Sequence, residues 1–247
     1  MLFFSRKENS CWICGSENNL SREHKFKASD LKAVFGNDEM DKFKGDLSID
    51  QIPKTLLSPK SRNAKFKASI CIECNGALTQ PADRSYERFS QNVRDLMARG
   101  VEPFEIANES PWRIPTHEDS INCLRYFAKA VGCHAAEVSA PIPCRLADFA
   151  SVNSPISCIT CTINSNEQRR DFAAGIPPSD SPFQYVSHHG LAVMFDNEVK
   201  SVPISYRSGL SIDWADVVFE FPFSCEEQRQ LVEEYREFLD YAKENMY

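Results

Sequence analysis

The sequence predicts an α+β protein in two parts. The first is a cysteine-containing module over residues 1–100, and the second is an acidic α+β domain over residues 101–247 with a mainly antiparallel sheet and helices. Two Cys-x-x-Cys pairs in the first part, helical spacing in both parts and short apolar runs between turn residues in the second predict this arrangement. The chain has 247 residues, 42% hydrophobic and 26% charged, which excludes disordered and collagen-like classes.

Apolar side chains at intervals of three or four residues predict three helices. The first covers residues 83–98, the second follows Thr116, and the third is one continuous helix at the C-terminus. The apolar positions are Tyr86, Phe89, Val93 and Leu96 in the first helix, Ile121, Leu124, Phe127, Ala128 and Val131 in the second, and Leu231, Val232, Tyr235, Phe238, Leu239 and Ala242 in the third.

Short apolar runs predict strands at residues 156–163, 185–186, 191–195 and 217–221. His188 and His189 are predicted at a strand end, before a turn at Gly190. Residues 37–63 show no clear period and are predicted to form an irregular insertion.

The net charge of -7 is unevenly distributed. Residues 1–100 carry 17 Lys and Arg against 13 Asp and Glu, whereas residues 101–247 carry 11 against 22. Between Asp50 and Glu73 every charged residue is basic, as a phosphate backbone requires of a binding surface. The predicted contacts to nucleic acid within this stretch are Lys60, Arg62, Lys65 and Lys67. A solvated loop is the alternative interpretation of the same charges.

No stretch of the sequence resembles a signal peptide or a membrane span, so a cytoplasmic location and no membrane partner are expected. In a reducing compartment cysteines serve as thiols or metal ligands more often than as disulfides.

Four of the ten cysteines have the spacing of a zinc site. Cys11 and Cys14 form one pair, and Cys71 and Cys74 form a second. A two-residue gap lets both thiolates of a tight turn face one ion, and two such turns complete a tetrahedral four-sulfur site. Gly15 suits the positive φ that such a turn often requires. The sequence therefore predicts a structural zinc.

The other cysteines are predicted to pack. Cys158 and Cys161 share the same spacing, but their surroundings indicate one strand, in which residues three apart face opposite sides. The four that lie among apolar residues, and are expected in the core, are Cys123, Cys133, Cys144 and Cys225.

The residues around the two cysteine pairs resemble the HNH endonucleases, the zinc-stabilised branch of the ββα-metal nucleases. Glu23 and His24 follow the first pair, and Asn75 directly follows Cys74. The resemblance covers residues 8–98 and implies an N-terminal ββα-metal (HNH) zinc-knuckle module. It does not extend into the second part.

The resemblance also implies the roles of these residues. His24 would be the general base that activates water, and Glu23 and Asn75 would complete the catalytic set and ligate a divalent metal, Mg²⁺ or Mn²⁺. Asp83 is a further candidate ligand or a helix cap. The sequence departs from the family at Glu23, where Asp is commoner, and at the middle Asn, for which Asn63 is the nearby candidate.

The leading hypothesis is therefore a divalent-metal-dependent endonuclease that hydrolyses DNA phosphodiester bonds, with double-stranded DNA as substrate. The family implies a role in bacterial restriction or phage defence. A homodimer would supply two active sites for two strands, and residues 101–247 would serve partner binding, dimerisation or sensing. The alternative is a non-catalytic zinc-knuckle module that binds nucleic acid or protein. A zinc deaminase is not favoured because the His-x-Glu motif is absent.

Overall fold

The computed structural model describes residues 2–4, 9–35, 45–49, 52–56, 64–67, 69–106, 117–167, 170–171 and 186–246. Its strands are β1 (Leu20–Ser21), β2 (Gly45–Ile49), β3 (Ile52–Leu56), β4 (Ile70–Cys71), β5 (Thr160–Ser165), β6 (Val186–Phe195), β7 (Pro203–Ile212) and β8 (Ala215–Pro222). Its α-helices are α1 (Ala28–Phe35), α2 (Gln80–Ala98), α3 (Pro103–Ile106), α4 (Glu118–Glu137), α5 (Cys144–Ala150), α6 (Cys225–Glu234) and α7 (Arg236–Asn245). A π-helical turn, Cys74–Leu78, precedes α2.

Six strands form one sheet in the order β3-β2-β6-β7-β8-β5, and β1 pairs with β4 separately. The neighbours in the large sheet are antiparallel except β2 and β6, which run parallel where Ile49 meets His188. The predicted α+β class with a mainly antiparallel sheet is confirmed.

Helix α4 packs between the first part of the chain and the sheet. The Tyr86 ring of α2 stacks on Tyr126 of α4 with centroids 3.9 Å apart, and Phe127 stacks on Phe219 of β8 at 4.7 Å. Buried residues on both sides of position 100 therefore belong to one hydrophobic core. No helix in the described part of the chain has the length and apolarity that a membrane crossing requires.

The prediction of an irregular insertion at residues 37–63 was wrong at two segments. Residues 45–49 and 52–56 form the hairpin of β2 and β3, and this hairpin extends the large sheet beside β6. The pairing partner lies about 140 residues away along the chain, so the local pattern could not reveal it.

The predicted single C-terminal helix is two helices. Tyr235 leaves helical geometry, with φ -124° and ψ 34°, and separates α6 from α7. Its ring packs against Phe3, with centroids 5.4 Å apart. The shared apolar face continues across this break, which explains why periodicity alone predicted one helix.

Three smaller predictions also need correction. His188 and His189 lie inside β6, next to a register shift that begins at His189, and not at a strand end. The strand predicted over residues 156–163 begins at Thr160, so Cys158 precedes it. Cys225 is exposed and Cys144 is only partly buried, so neither is in the core, whereas Cys123 and Cys133 are buried as predicted.

Candidate metal centre and adjoining histidine

The first cysteine pair lies in a tight turn. The Gly15 amide donates to the Cys11 carbonyl at 2.8 Å, and the Cys11 amide donates to the Ser16 carbonyl at 2.7 Å. Gly15 has φ +75°, a conformation that glycine adopts without steric cost. The prediction that this position uses a positive φ is confirmed.

The pairing of β1 with β4 brings the second cysteine pair to the first. Leu20 is opposite Cys71, and the Ile72 amide donates to the Asn19 carbonyl at 2.9 Å. The Trp12 amide, between the first two cysteines, donates to the Ser69 carbonyl at 3.0 Å. These backbone bonds fix both turns against each other.

All four sulfur atoms of Cys11, Cys14, Cys71 and Cys74 lie within 4.8 Å of one another, so this cluster could hold a metal ion. The Sγ atoms of Cys14 and Cys71 are 3.7 Å apart, close to the edge of about 3.8 Å that zinc–sulfur bonds of about 2.3 Å give in a tetrahedron. Thiol chemistry and spacing therefore fit zinc.

The thiols of the cluster differ electrostatically. Burial raises the pKa of Cys14 and of Cys74, and the neighbouring thiols raise the pKa of Cys74 further. Burial acts in the same direction on Cys71, but its pKa is lowered because it accepts a hydrogen bond from the Cys74 amide at 3.4 Å and bonds from neighbouring thiols. A metal cation would favour the thiolate form of all four.

Beyond β1, the chain continues in antiparallel pairing with the segment before β4. The Lys25 amide donates to the Ala64 carbonyl at 2.7 Å, the Phe66 amide donates to the Glu23 carbonyl at 2.9 Å, and His24 bridges to Lys65. We call residues 20–25, together with the paired positions of residues 64–71, the ribbon. The π-helical turn and α2 directly follow its second segment, and α1 and the β2–β3 hairpin lie between its two segments.

His24 lies on the face of the ribbon that points away from the hydrophobic core of the protein. Glu23 and Lys25 on either side are each 6% exposed, whereas His24 is half-buried. Partial burial and the nearby Lys65 ammonium lower the pKa of His24, and the Glu23 carboxylate opposes this only in part. The imidazole is therefore neutral at pH 7, the form that accepts a proton.

Asn75 lies at the start of the π-helical turn, against β1. Its Nδ2 donates to the Ser21 hydroxyl at 3.1 Å. Its Oδ1 is buried and has no hydrogen-bond partner among the described residues. An unpartnered buried amide oxygen is costly unless water or a cation binds it, and π-helical turns occur frequently at functional sites.

Glu23 and Asp83 lie together, joined by two lysines. The Lys129 ammonium is 3.1 Å from the Glu23 carboxylate and 3.0 Å from that of Asp83. The Lys27 ammonium is 3.3 Å and 2.7 Å from the same two groups. Burial alone would raise the pKa of Glu23, but Lys129 and Lys27 lower it below its usual range. We call these four residues the ion quartet.

The ion quartet bears on the predicted catalytic metal. Among the described residues, the four cysteines are the group whose ligand atoms lie close enough together to hold a metal ion. Glu23, His24 and Asp83 do not form such a group with one another. Both carboxylates are already bound by ammonium groups, so Asn75 Oδ1 is the free oxygen donor that these predicted ligands offer.

The predicted basic contacts are only partly described. Lys60, Arg62 and Asn63 lie outside the described residues. Lys65 lies beside His24, across the ribbon. Lys67 is exposed and donates to the Glu137 carbonyl at 3.1 Å.

Sequence reasoning missed the contribution of α4. Lys129 and Glu137 of this helix contact the ribbon, and His134 meets His188 in a buried imidazole pair. One signal was available, because Lys129 lies in a run of mostly apolar residues, and a lysine is almost never fully buried without a partner.

Comparison with known proteins finds no matching family model, no matching curated protein and no matching solved structure.

Proposed function

We propose that this protein is a divalent-metal-dependent endonuclease that hydrolyses phosphodiester bonds of double-stranded DNA, with His24 as general base. The observation that carries the proposal is the half-buried His24 imidazole between two buried neighbours of the ribbon, where burial and Lys65 lower its pKa. The second segment of the ribbon leads directly into the turn that carries Asn75. With α1 and the β2–β3 hairpin inserted between the two segments, this order supports the ββα arrangement of the HNH family that the sequence resembles.

The residues suit the chemistry of in-line hydrolysis. A neutral histidine can remove a proton from the attacking water near pH 7. The Lys65 ammonium beside it favours an anionic phosphate. A bound Mg²⁺ or Mn²⁺ would neutralise charge on the scissile phosphate, and the unpartnered Oδ1 of Asn75 would be one of its ligands. The role in restriction or phage defence is part of the same proposal.

The zinc in this proposal is structural. Four thiolates close a tetrahedral site and leave no position for water, so zinc would stabilise the turns without taking part in hydrolysis. The two turns support β1 and β4, and these strands lead to His24 and Asn75. The metal would thus act on catalysis through folding.

A second candidate function is a non-catalytic zinc-knuckle module that binds nucleic acid or protein. The ion quartet favours it, because Glu23 and Asp83 offer no free carboxylate to a catalytic cation. Supercoiled plasmid DNA with Mg²⁺ or Mn²⁺ separates the two candidates. Nicking or linearisation supports the enzyme, and retardation without cutting supports the binding module.

The first testable prediction concerns the general base. His24→Ala should lower the rate of plasmid cleavage by about 10²- to 10⁴-fold, because general-base catalysis contributes this much. Zinc content and thermal stability should stay near wild type, since the side chain is half-buried and outside the cysteine cluster. Gel-based cleavage rates, metal analysis and thermal unfolding provide the measurements.

His117→Asn is the matched control. His117 is exposed and caps α4 by accepting a hydrogen bond from the Asp119 amide at 3.2 Å, a role that Asn can take over. This variant should cleave at the wild-type rate. Full cleavage by His24→Ala would refute the assignment of the base.

A further inference from the structure

The two neighbours of His24 in the ribbon both point into the protein. Glu23 and Lys25 are each 6% exposed, and His24 between them is half-buried. Side chains along an extended segment alternate between its two faces. The contacts that hold Glu23 and Lys25 therefore also fix the direction in which His24 projects.

Both inward side chains form ion pairs with helix α4, and the two pairs have opposite polarity. The carboxylate of Glu23 lies 3.1 Å from the Lys129 ammonium, and the ammonium of Lys25 lies 2.7 Å from the Glu137 carboxylate. Lys129 is 1% exposed. A displaced ribbon would leave buried charges without partners, which is strongly unfavourable.

The ion quartet reinforces the first of these pairs. Lys129 contacts both oxygens of Asp83, at 3.0 Å and 3.1 Å, and Lys27 contacts Glu23 and Asp83. Two negative and two positive charges thus balance inside the protein. Asp83 belongs to α2, so the quartet connects the ribbon, α2 and α4.

We propose that Lys129 and Glu137 of α4 are positioning residues that hold the ribbon through Glu23 and Lys25 and so orient His24. In this arrangement Glu23 is a buried anchor and not a ligand of the catalytic metal. The inference rests on the proposed nuclease function and deepens it, because it makes a helix from residues 101–247 part of the active-site framework.

A double-mutant cycle on Glu23 and Lys129 tests the anchor. Glu23→Gln and Lys129→Met alone each leave the buried quartet with one uncompensated charge, so each should lower Tm by about 10 °C. Each should also lower the single-turnover cleavage rate by about 100-fold below Tm, with DNA affinity unchanged. The double variant loses one charge of each sign, so most of the loss in Tm should be recovered. Its cleavage rate should return to within about tenfold of the wild-type rate.

The ion pair of Lys25 with Glu137 provides an independent test, because Lys25 pairs with α4 and not with Glu23. Lys25→Met and Glu137→Gln should each slow cleavage, and the double variant should recover the rate. Glu227→Gln is the structural control. Glu227 is buried and pairs with Arg145 at 2.8 Å, between α5 and α6 and away from the ribbon. It should lower Tm and leave the cleavage rate unchanged.

Two results would overturn the proposal. A Glu23→Gln/Lys129→Met protein that is as stable as wild type but does not cleave DNA would mean that Glu23 acts at the reacting atoms or on the metal. A cycle without coupling in Tm would mean that the ion pair does not anchor the ribbon.

The failure of the proposed function can be recognised separately. If the wild-type protein cleaves no DNA, the nuclease assignment fails, and the side-chain NMR signal of His24 still tests its positioning. That signal should move in Lys129→Met and in Glu137→Gln and stay in place in Glu227→Gln. An unmoved signal in the first two variants would refute the positioning role.

Discussion

Among single residues, His134 and His188 form a buried pair whose protonation can be derived from geometry. His134 Nε2 and His188 Nδ1 are 3.0 Å apart, and His188 Nδ1 is also 3.0 Å from the His189 carbonyl oxygen. A carbonyl oxygen only accepts, so His188 Nδ1 carries the proton and His134 Nε2 is an acceptor. The acceptor role of Nε2 requires the His134 ring to be neutral, and burial favours the neutral form of His188 as well.

Protonation of this pair is unfavourable in the folded protein. Burial and the nearby Lys25 ammonium lower the pKa of His188 to about 3, and burial together with His188 holds the pKa of His134 well below its ordinary range. The titratable groups around the pair are Lys25, its partner Glu137, and His189. In the unfolded chain a histidine titrates near pH 6.5, so the unfolded state binds more protons between these values.

Stability should therefore fall as the pH decreases from about 6.5 towards 3. In His188→Asn the amide Nδ2 can donate to both neighbours of the replaced ring. The variant should be less stable than wild type at pH 7.5, because the packing of the ring is lost. Its stability should depend less steeply on pH, because the buried imidazole that resists protonation is gone. The slope between pH 6 and pH 5 should decrease by about 1.4 kcal/mol per pH unit. Urea unfolding across this range measures it.

The wild-type protein, measured in parallel over the same pH range, gives the reference slope for this prediction. An unchanged slope in His188→Asn would show that the buried pair does not contribute to acid destabilisation. The sequence alone could not predict this pair, because His134 and His188 come from a helix and a strand that meet only in the folded protein.

Among the secondary-structure elements, the contact between α4 and the first cysteine turn is close. Trp12 is 1% exposed and lies directly over Gly132 of α4. A Cβ atom at position 132 would come within 2.6 Å of Trp12 Cζ3, much less than van der Waals contact. Glycine is thus required at this position by packing and not by backbone conformation.

Gly132→Ala should destabilise the protein by about 1–3 kcal/mol, since overpacking forces side chains or backbone to shift. For a chain of this size the loss corresponds to a fall in Tm of about 5 °C. Gly76→Ala is the matched control, because Gly76 lies in the π-helical turn with nothing within 4 Å of the added Cβ. That variant should be neutral or slightly stabilised, and equal losses in both variants would refute the packing argument.

Elements with strong local periodicity were the ones that the sequence could predict. The helix predicted at residues 83–98 is α2, Gln80–Ala98, because its apolar face repeats without interruption. The β2–β3 hairpin escaped prediction because its place depends on pairing with β6, far along the chain. The cysteine cluster could be predicted because ligand type and spacing are local properties.

The ion pairs around His24 could not be predicted in the same way. Glu23 and Lys129 are 106 positions apart, and the apolar run around Lys129 indicates burial but does not identify the partner. Only the packing of α4 against the ribbon brings them together and buries them. This explains why the resemblance to a nuclease motif indicated candidate residues but gave no information on their ionic partners.

For the molecule as a whole, the cysteine cluster and the large sheet are connected through one core. Cys11, Cys71 and Cys74 are buried among residues that also include Phe127 of α4 and Phe219 of β8. A local region with its own separate core could unfold by itself. Here the stability that a metal adds to the cluster should extend across the chain.

Removal of the metal should therefore shift the unfolding of the entire protein. Purified protein should contain one zinc per chain, and the double variant Cys71→Ser/Cys74→Ser should contain none, because half of the ligands are lost. A strong chelator and the double variant should each lower Tm, since a metal that binds only the folded state stabilises it by mass action. Cys158→Ser, outside the cluster, is the control and should retain zinc.

Calorimetry distinguishes the two ways in which the chain could respond. With one shared core, the stripped protein should unfold in a single transition at lower temperature. In a variant with Trp112→Phe and Trp214→Phe, the fluorescence of Trp12 and the far-ultraviolet circular dichroism should change together. Two separate transitions, with the sheet unfolding at the original temperature after Trp12 has become exposed, would contradict this prediction. Such a result would also weaken the positioning role of α4, because the ribbon could then detach from the helix that holds His24.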